Sequence, residues 1–386
     1  MSRTDDGARR AGPVVERRRP RRAGTFAGRS GACPPRRTAL GALLALVLGG
    51  TTGTALANGA SSADEPPLAA AEAAPASPFL AREEVRRWIA ETSAERGLDR
   101  HHVAGLFARL ERREDVLALI AAPAERRLEW REYRPIFLGE ERVRAGRAFL
   151  ERHREALARA EARFGVPPAV IGAIIGVETL YGRIVGRHRV LEALATLAFD
   201  YPPRAAFFAG ELAEFLSLAD EERLRAREVL GSYAGAMGLA QFIPSSYRRY
   251  AIDFDGDGRR DLFESPEDAI GSVANYLARH GWRRDEPLAR RWRATPARAE
   301  AARALVRESL KPAVAFERVR ALGFEDAAAR ESGADARPVS VMRFSGEGGE
   351  ELWVGYTNFY AITRYNHSRL YALAVHQLAA ALRGTP

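Results

Sequence analysis

"VPPAVIGAIIGVETLYG", residues 166–182, opens with two prolines, which suit the first turn of a helix, and closes on Gly182, which suits its end. Between them the segment is almost wholly apolar, and near its close stands one acid, Glu178. At 100° per residue, with Ile171 at zero, Ile174 falls at roughly 300°, Ile175 at roughly 40° and Glu178 at roughly 340°. The carboxyl therefore lies inside the isoleucine stripe rather than on a solvated face. It also lies in the last turn, where the negative end of the helix dipole opposes a second negative charge. Desolvation and dipole both favour the protonated form. That suits an acid that must donate a proton to a leaving group near neutral pH. From this segment alone, a structural glutamate paired with Arg183 or Arg187 is the leading reading, because ion pairs also perturb titration.

Helical patterns extend outward from this segment. "REEVRRWIAETSAERG" places Val85, Trp88 and Ile89 at helical spacing and stops at Gly97. "HHVAGLFARLERREDVLALI" continues in the same style, and one long amphipathic helix is expected over about 139–164, ending at Gly165. Further helices fit about 203–218 and 266–280, the second with Ser265 as N-cap, Pro266 in its first turn and Gly281 as its stop. "PVSVMRFSGEGGEELWVGY", within 338–360, predicts two strands around a glycine-rich turn. "HSRLYALAVHQLAAAL" predicts a final helix. The expected class is α+β, mainly α-helical, with a small β element.

The chain has 386 residues and a net charge of +9, which at first sight suggests nucleic acid. The charge is confined to one end. Residues 1–37 carry 11 Arg against three acids, a net +8, leaving about +1 for the rest. Downstream, no basic stripe with interleaved aromatics stands out, so nucleic acid is not an expected partner. Residues 1–57 resemble an export signal: a basic region, the apolar run "ALGALLALVLGG", then a small-residue site at Ala55-Leu56-Ala57. The expected location is exported and periplasmic, with a retained signal anchor as the alternative. The strongly apolar run is about ten residues, short of the roughly 20 that span a bilayer. Cys33, the only cysteine, precedes that run, so no lipid anchor is expected, and the exported part offers no disulfide, thiolate ligand or Cys nucleophile. Residues 58–77, rich in Ala, Pro and Ser, read as a linker. The functional region is then 78–386.

"GSYAGAMGLAQFIPSSY", 231–247, sets small residues between aromatics, with Ser232, Tyr233 and Gln241 offering hydrogen bonds and stacking. On composition it is a tight loop that lets something bulky approach the backbone. "DFDGDGRRDLFE", 253–264, has the spacing of a twelve-residue EF-hand loop. Asp253, Asp255 and Asp257 take positions 1, 3 and 5, and Gly258 the sharp turn. Arg259 offers its carbonyl, Asp261 stands at position 9, and Glu264 is the closing bidentate ligand. Arg259 and Arg260 add positive charge, Arg260 replaces the usual apolar residue at position 8, and the entering helix is short. A structural calcium ion is expected rather than a sensor.

Together "IIGVETLYG", "LATLAFDYPPRAAFFAGELAEFL", "GSYAGAMGLAQFIPSSY", "DAIGSVANYLARHGW" and "YAITRYNHSRLYALAVHQL" resemble the lytic murein transglycosylase B family, glycoside hydrolase family 103, from about residue 79 to the C-terminus. The resemblance implies a lysozyme-like core (about 160–290, including the loop 253–264) flanked by a helical domain and the small β element at about 338–360. It implies Glu178 as the single acid/base. It also implies a glycan cleft formed by Ser232, Gln241, Tyr276, Tyr365, Asn366 and Tyr371, together with Tyr133 of "WREYRPIF". The implied reaction cleaves the β-1,4 bond between N-acetylmuramic acid and N-acetylglucosamine in peptidoglycan strands, leaves a 1,6-anhydromuramoyl end and uses no catalytic cofactor. Cell-wall enzyme complexes are conceivable partners, and an EF-hand-like calcium loop is known in the family at this place. Most glycosidases use two carboxylates; Asp200 and Glu211 are candidates for a second, but no pattern singles them out. The alternatives are a hydrolytic muramidase, in which water replaces the sugar hydroxyl, and a non-catalytic, calcium-stabilised glycan-binding protein.

Overall fold

A computed structural model describes residues 77–121 and 128–384. The expected leader and nearly all of the linker lie outside the described residues. Ser77, counted with the linker, belongs to the fold: it is buried, and its hydroxyl donates to the Leu110 carbonyl at 3.1 Å.

The acid-bearing helix runs Pro168–Thr179 and is buried on every side from Ala169 onward. A helix apolar all round belongs at the centre of a large domain, and each fully buried Ile or Val there contributes about 1.5–3 kcal/mol. Around it pack Glu140–Arg152, Arg154–Phe164, Pro266–Arg279 and the final helix, Arg369–Arg383. Its stop is not Gly182. The chain turns at Leu180 (φ 49°), whose N–H closes on the Gly176 carbonyl at 3.1 Å, and Tyr181 follows at φ 59°. Two non-glycine residues in the left-handed region are unusual and are held there by their surroundings.

Three expected helices are modified. The 139–164 segment is two helices, broken at His153 (φ −110°, ψ 24°). "HHVAGLFARLERREDVLALI" divides into Arg100–Phe107 and Glu114–Ala121. The helix expected at 203–218 spans Ala205–Glu221 behind a single 3-10 turn, Pro202–Arg204. Among the described residues, no single helix is long and apolar enough to cross a membrane.

Five strands are present among the described residues. β1 (His188–Arg189) and β2 (Leu230–Gly231) form a two-residue antiparallel pair. β3 (Ala289–Trp292), β4 (Ser340–Gly346) and β5 (Gly349–Gly355) form an antiparallel sheet of order β3-β5-β4. The β4–β5 hairpin is the expected one, closing at Gly346↔Gly349; β3 was not foreseen. The sheet is covered on both faces. Val341, Leu352 and Val354 join a small core with Phe316, Val319 and Phe324, whereas Met342, Phe344 and Trp353 face the main core. A mainly helical chain with small antiparallel sheets agrees with the expected class.

Candidate active site

Glu178 is 4% exposed, inside the apolar wall as its place in the isoleucine stripe required. The Tyr371 hydroxyl, on the final helix, donates to Glu178 Oε1 at 2.7 Å. Burial, and then the adjacent Glu178 carboxylate, hold the Tyr371 phenol well above its ordinary pKa, so it remains a hydrogen-bond donor. Arg183, weighed as a structural partner for the acid, turns away to Glu141 at 2.8 Å.

Thr179 ties the acid to the glycine-rich loop. Its hydroxyl lies 3.1 Å from the Ile175 carbonyl and 3.2 Å from the Leu239 carbonyl, and accepts from Gly182 N–H at 3.1 Å. Leu239 N–H donates in turn to Leu262 of the acidic loop at 2.8 Å. At Gly238 (φ 67°) a Cβ would strike the Leu262 carbonyl, so glycine is required by both conformation and space.

The expected cleft residues are all buried, and several are already engaged. Ser232 Oγ accepts from Ala234 N–H and Ala236 N–H, at 3.3 and 3.0 Å. Gln241 (φ 47°) donates through Nε2 to the Val185 and Gly238 carbonyls, at 3.1 and 2.9 Å. The Tyr365 hydroxyl donates to the Ala240 carbonyl and the Tyr276 hydroxyl to the Arg364 carbonyl, each at 2.5 Å. The aromatic rings form a continuous run. Tyr371 lies parallel to Tyr365 at 6.4 Å, Tyr365 meets Tyr276 at 4.8 Å and Phe242 at 5.6 Å, and Tyr276 stacks on His280 at 4.0 Å. Asn366, buried directly after Tyr365, ends the helix Thr357–Tyr365. Tyr133 is 3% exposed on the helix Trp130–Leu138 and close enough to Tyr371 to act on its phenol electrostatically.

Neither candidate second carboxylate joins this group. Glu211 accepts from Ser245 N–H and Oγ–H at 3.0 and 2.7 Å; burial pushes its carboxyl up, against those two bonds. Asp200 pairs with Arg82 at 2.9 Å.

In the acidic loop, the carboxylate oxygens of Asp253, Asp255 and Asp257 lie within 4.8 Å of one another. Asp261 Oδ1 instead accepts from Phe263 and Glu264 N–H, both at 2.9 Å, and the Glu264 side chain is exposed. Arg259 is exposed. Arg260 turns outward to Glu222, which explains its toleration where an apolar residue is usual. Asp268, not foreseen, organises the loop from behind: it is fully buried and accepts from Phe254, Asp255 and Asp261 N–H at 2.6, 3.3 and 2.7 Å. Its signal in the sequence was an acid in the first turn of a helix directly after the loop.

A buried acid held by a tyrosine hydroxyl thus lies on the same helix bundle as a glycine-bounded loop and a row of aromatic rings. Residues 81–380 match the Transglycosylase SLT domain model, and the chain belongs to that family. It is 37% identical over 313 residues to membrane-bound lytic murein transglycosylase B of Escherichia coli (strain K12), covering 79% of this chain and 84% of the relative. Soluble lytic transglycosylase SltB1 from Pseudomonas aeruginosa matches with TM-score 0.72 and 46% identity over 78% of this chain and 100% of that one. Escherichia coli Slt35, solved in complex with calcium, matches with TM-score 0.71 and 37% identity over 80% and 95%. The chain is a lytic transglycosylase, an enzyme acting on peptidoglycan.

Proposed function

We propose that Glu178 performs both proton transfers of the cleavage. As an acid it protonates the oxygen joining N-acetylmuramic acid to N-acetylglucosamine, and the C1–O bond breaks with an oxocarbenium-like centre at C1. As the resulting carboxylate it takes the proton from the C6 hydroxyl of the same muramoyl ring, whose oxygen bonds to C1. The acid is restored, no water is consumed, and the new end is a 1,6-anhydromuramoyl sugar. The observation that carries this reading is the Glu178 carboxyl, 4% exposed and fixed by Tyr371 at 2.7 Å. That hydroxyl orients the acid and stabilises its charge once the proton has left. The substrate N-acetyl group, rather than a second carboxylate, is assigned the stabilisation of C1, since Glu211 and Asp200 are bound elsewhere.

Ser232, Gln241, Tyr276, Tyr365, Asn366, Tyr371 and Tyr133 are proposed to shape the glycan cleft. The rings of Tyr365 and Tyr276 would present faces to sugars, while their tied hydroxyls keep those rings from turning. The loop 253–264 is proposed to hold a calcium ion. Its donors are hard carboxylate oxygens, three of them already gathered, as this cation demands. Asp253, Asp255, Asp257, Asp261, Glu264 and the Arg259 carbonyl would be its ligands, and its contribution is to rigidify the loop that meets Leu239. The chain is proposed to act outside the cytoplasm, in the periplasm, where its polymeric substrate lies; residues 78–386 would carry the activity.

The test is Glu178→Gln assayed on purified peptidoglycan sacculi. Activity should fall by roughly 10²–10⁴-fold with the melting temperature nearly unchanged. Cleavage at the wild-type rate by a folded variant would remove Glu178 from the mechanism.

A further inference from the structure

Arg142 lies behind the acid, on the helix Glu140–Arg152, and is 8% exposed. Burying a guanidinium is costly unless it is paired, yet among the described residues no carboxylate lies within ion-pair distance of it. Burial accordingly pulls its pKa down. Its two terminal nitrogens face backbone carbonyls instead, while Nε is buried with no hydrogen-bond partner among the described residues. Nη1 donates to the Gly176 carbonyl, and Nη2 reaches the Ile136 carbonyl at 3.5 Å. Its guanidinium carbon stands 5.3 Å from the centre of the Phe137 ring.

The two carbonyls are informative. Gly176 O also accepts Leu180 N–H, the bond that closes the final turn of the acid-bearing helix, and Glu178 lies inside that turn. Ile136 lies one turn beyond Tyr133 on its helix. Tyr181 packs one turn along the same interface. At both Gly146 and Gly176 a Cβ would collide with its phenol, so the helices can close this tightly only with glycine at both places. The Tyr181 ring rests on Phe149 at 5.3 Å. Arg142, Gly146 and Phe149 thus form one inward face at i, i+4 and i+7.

We propose that Arg142 is a positioning residue for catalysis, clamping the turn that carries Glu178 to the helix that carries Tyr133. This rests on Glu178 being the acid. A planar, forked donor can hold two carbonyls at once; an ammonium holds one well, and an apolar chain holds neither. A purely structural arginine would be replaceable without a selective loss in the chemical step.

The experiment compares wild type, Arg142→Met, Arg142→Lys and Glu178→Gln on a soluble murein glycan oligomer, measuring kcat, KM and melting temperature. Arg142→Met should lower kcat by about 10–100-fold with KM within about threefold. Arg142→Lys should recover part of kcat. If Arg142→Met does not fold, Arg142→Lys decides: reduced kcat at unchanged KM and melting temperature supports the clamp. Wild-type kcat in folded Arg142→Met or, should that not fold, in Arg142→Lys overturns it. So does a kcat loss that merely tracks lost folded protein, with Lys no better than Met. Glu178→Gln separates the two claims: if that variant stays active, the acid assignment falls, whatever the Arg142 variants do.

Discussion

His376, on the final helix, meets Trp353 edge-on at 5.7 Å, and its Nδ1 is shielded from water. Burial first, then the nearby Arg383 charge, push its pKa down to about 4. The unfolded chain therefore binds a proton near the ordinary histidine value while the folded chain does not. Between about pH 6.5 and 4 stability rises with pH, and it is lost as pH falls through that window. Thermal unfolding at pH 7.5 and pH 5 should show a loss that shrinks by on the order of 1–2 kcal/mol in His376→Leu; an equal loss in both proteins would remove this histidine as the cause. Individual residues were unequally legible. Glu178 could be placed because an acid in an isoleucine stripe violates its own pattern. Arg142 could not, because an arginine in "ERVRAGRAF" reads as one more solvated charge; only the inward face shared with Gly146 and Phe149 would have marked it.

Among the elements, the acidic loop shows how far spacing reaches. The alternation of Asp253, Asp255 and Asp257 set their oxygens together, as expected. Spacing could not show that Asp261 would cap its own turn, or that Asp268 would collect three loop amides from the next helix. Those bonds depend on how the helix Pro266–Arg279 docks, a tertiary fact. Because the loop meets Leu239 through Leu262, an ion there should stiffen the wall beside Thr179. Chelation of a calcium-loaded sample should lower the melting temperature by roughly 3–8 °C and leave the type of product unchanged. A melting curve indifferent to chelator and to Asp253→Asn would mean that the loop binds no structural ion. The helix break at His153 was missed for a related reason: the apolar periodicity continues across it, and no proline or glycine announces it.

In the molecule as a whole, the helical class and the β4–β5 hairpin followed from periodicity and turn residues. β3 escaped because "ARRW" carries two exposed arginines in four residues, so its pairing with β5 is decided by the sheet rather than by its own pattern. The grouping of Tyr276 with Tyr365 and Tyr371 was legible only through the family resemblance, because a residue so far back in the chain leaves no local trace of its contact with the other two. The acid helix and the final helix meet at one buried carboxyl whose proposed partner is a hydroxyl of the substrate itself. Mass analysis of the muropeptides released from purified peptidoglycan addresses that directly. Ends lighter by one water than reducing N-acetylmuramic acid, produced by the wild type and lost in Glu178→Gln, are the predicted result; reducing ends, with water incorporated, would contradict it.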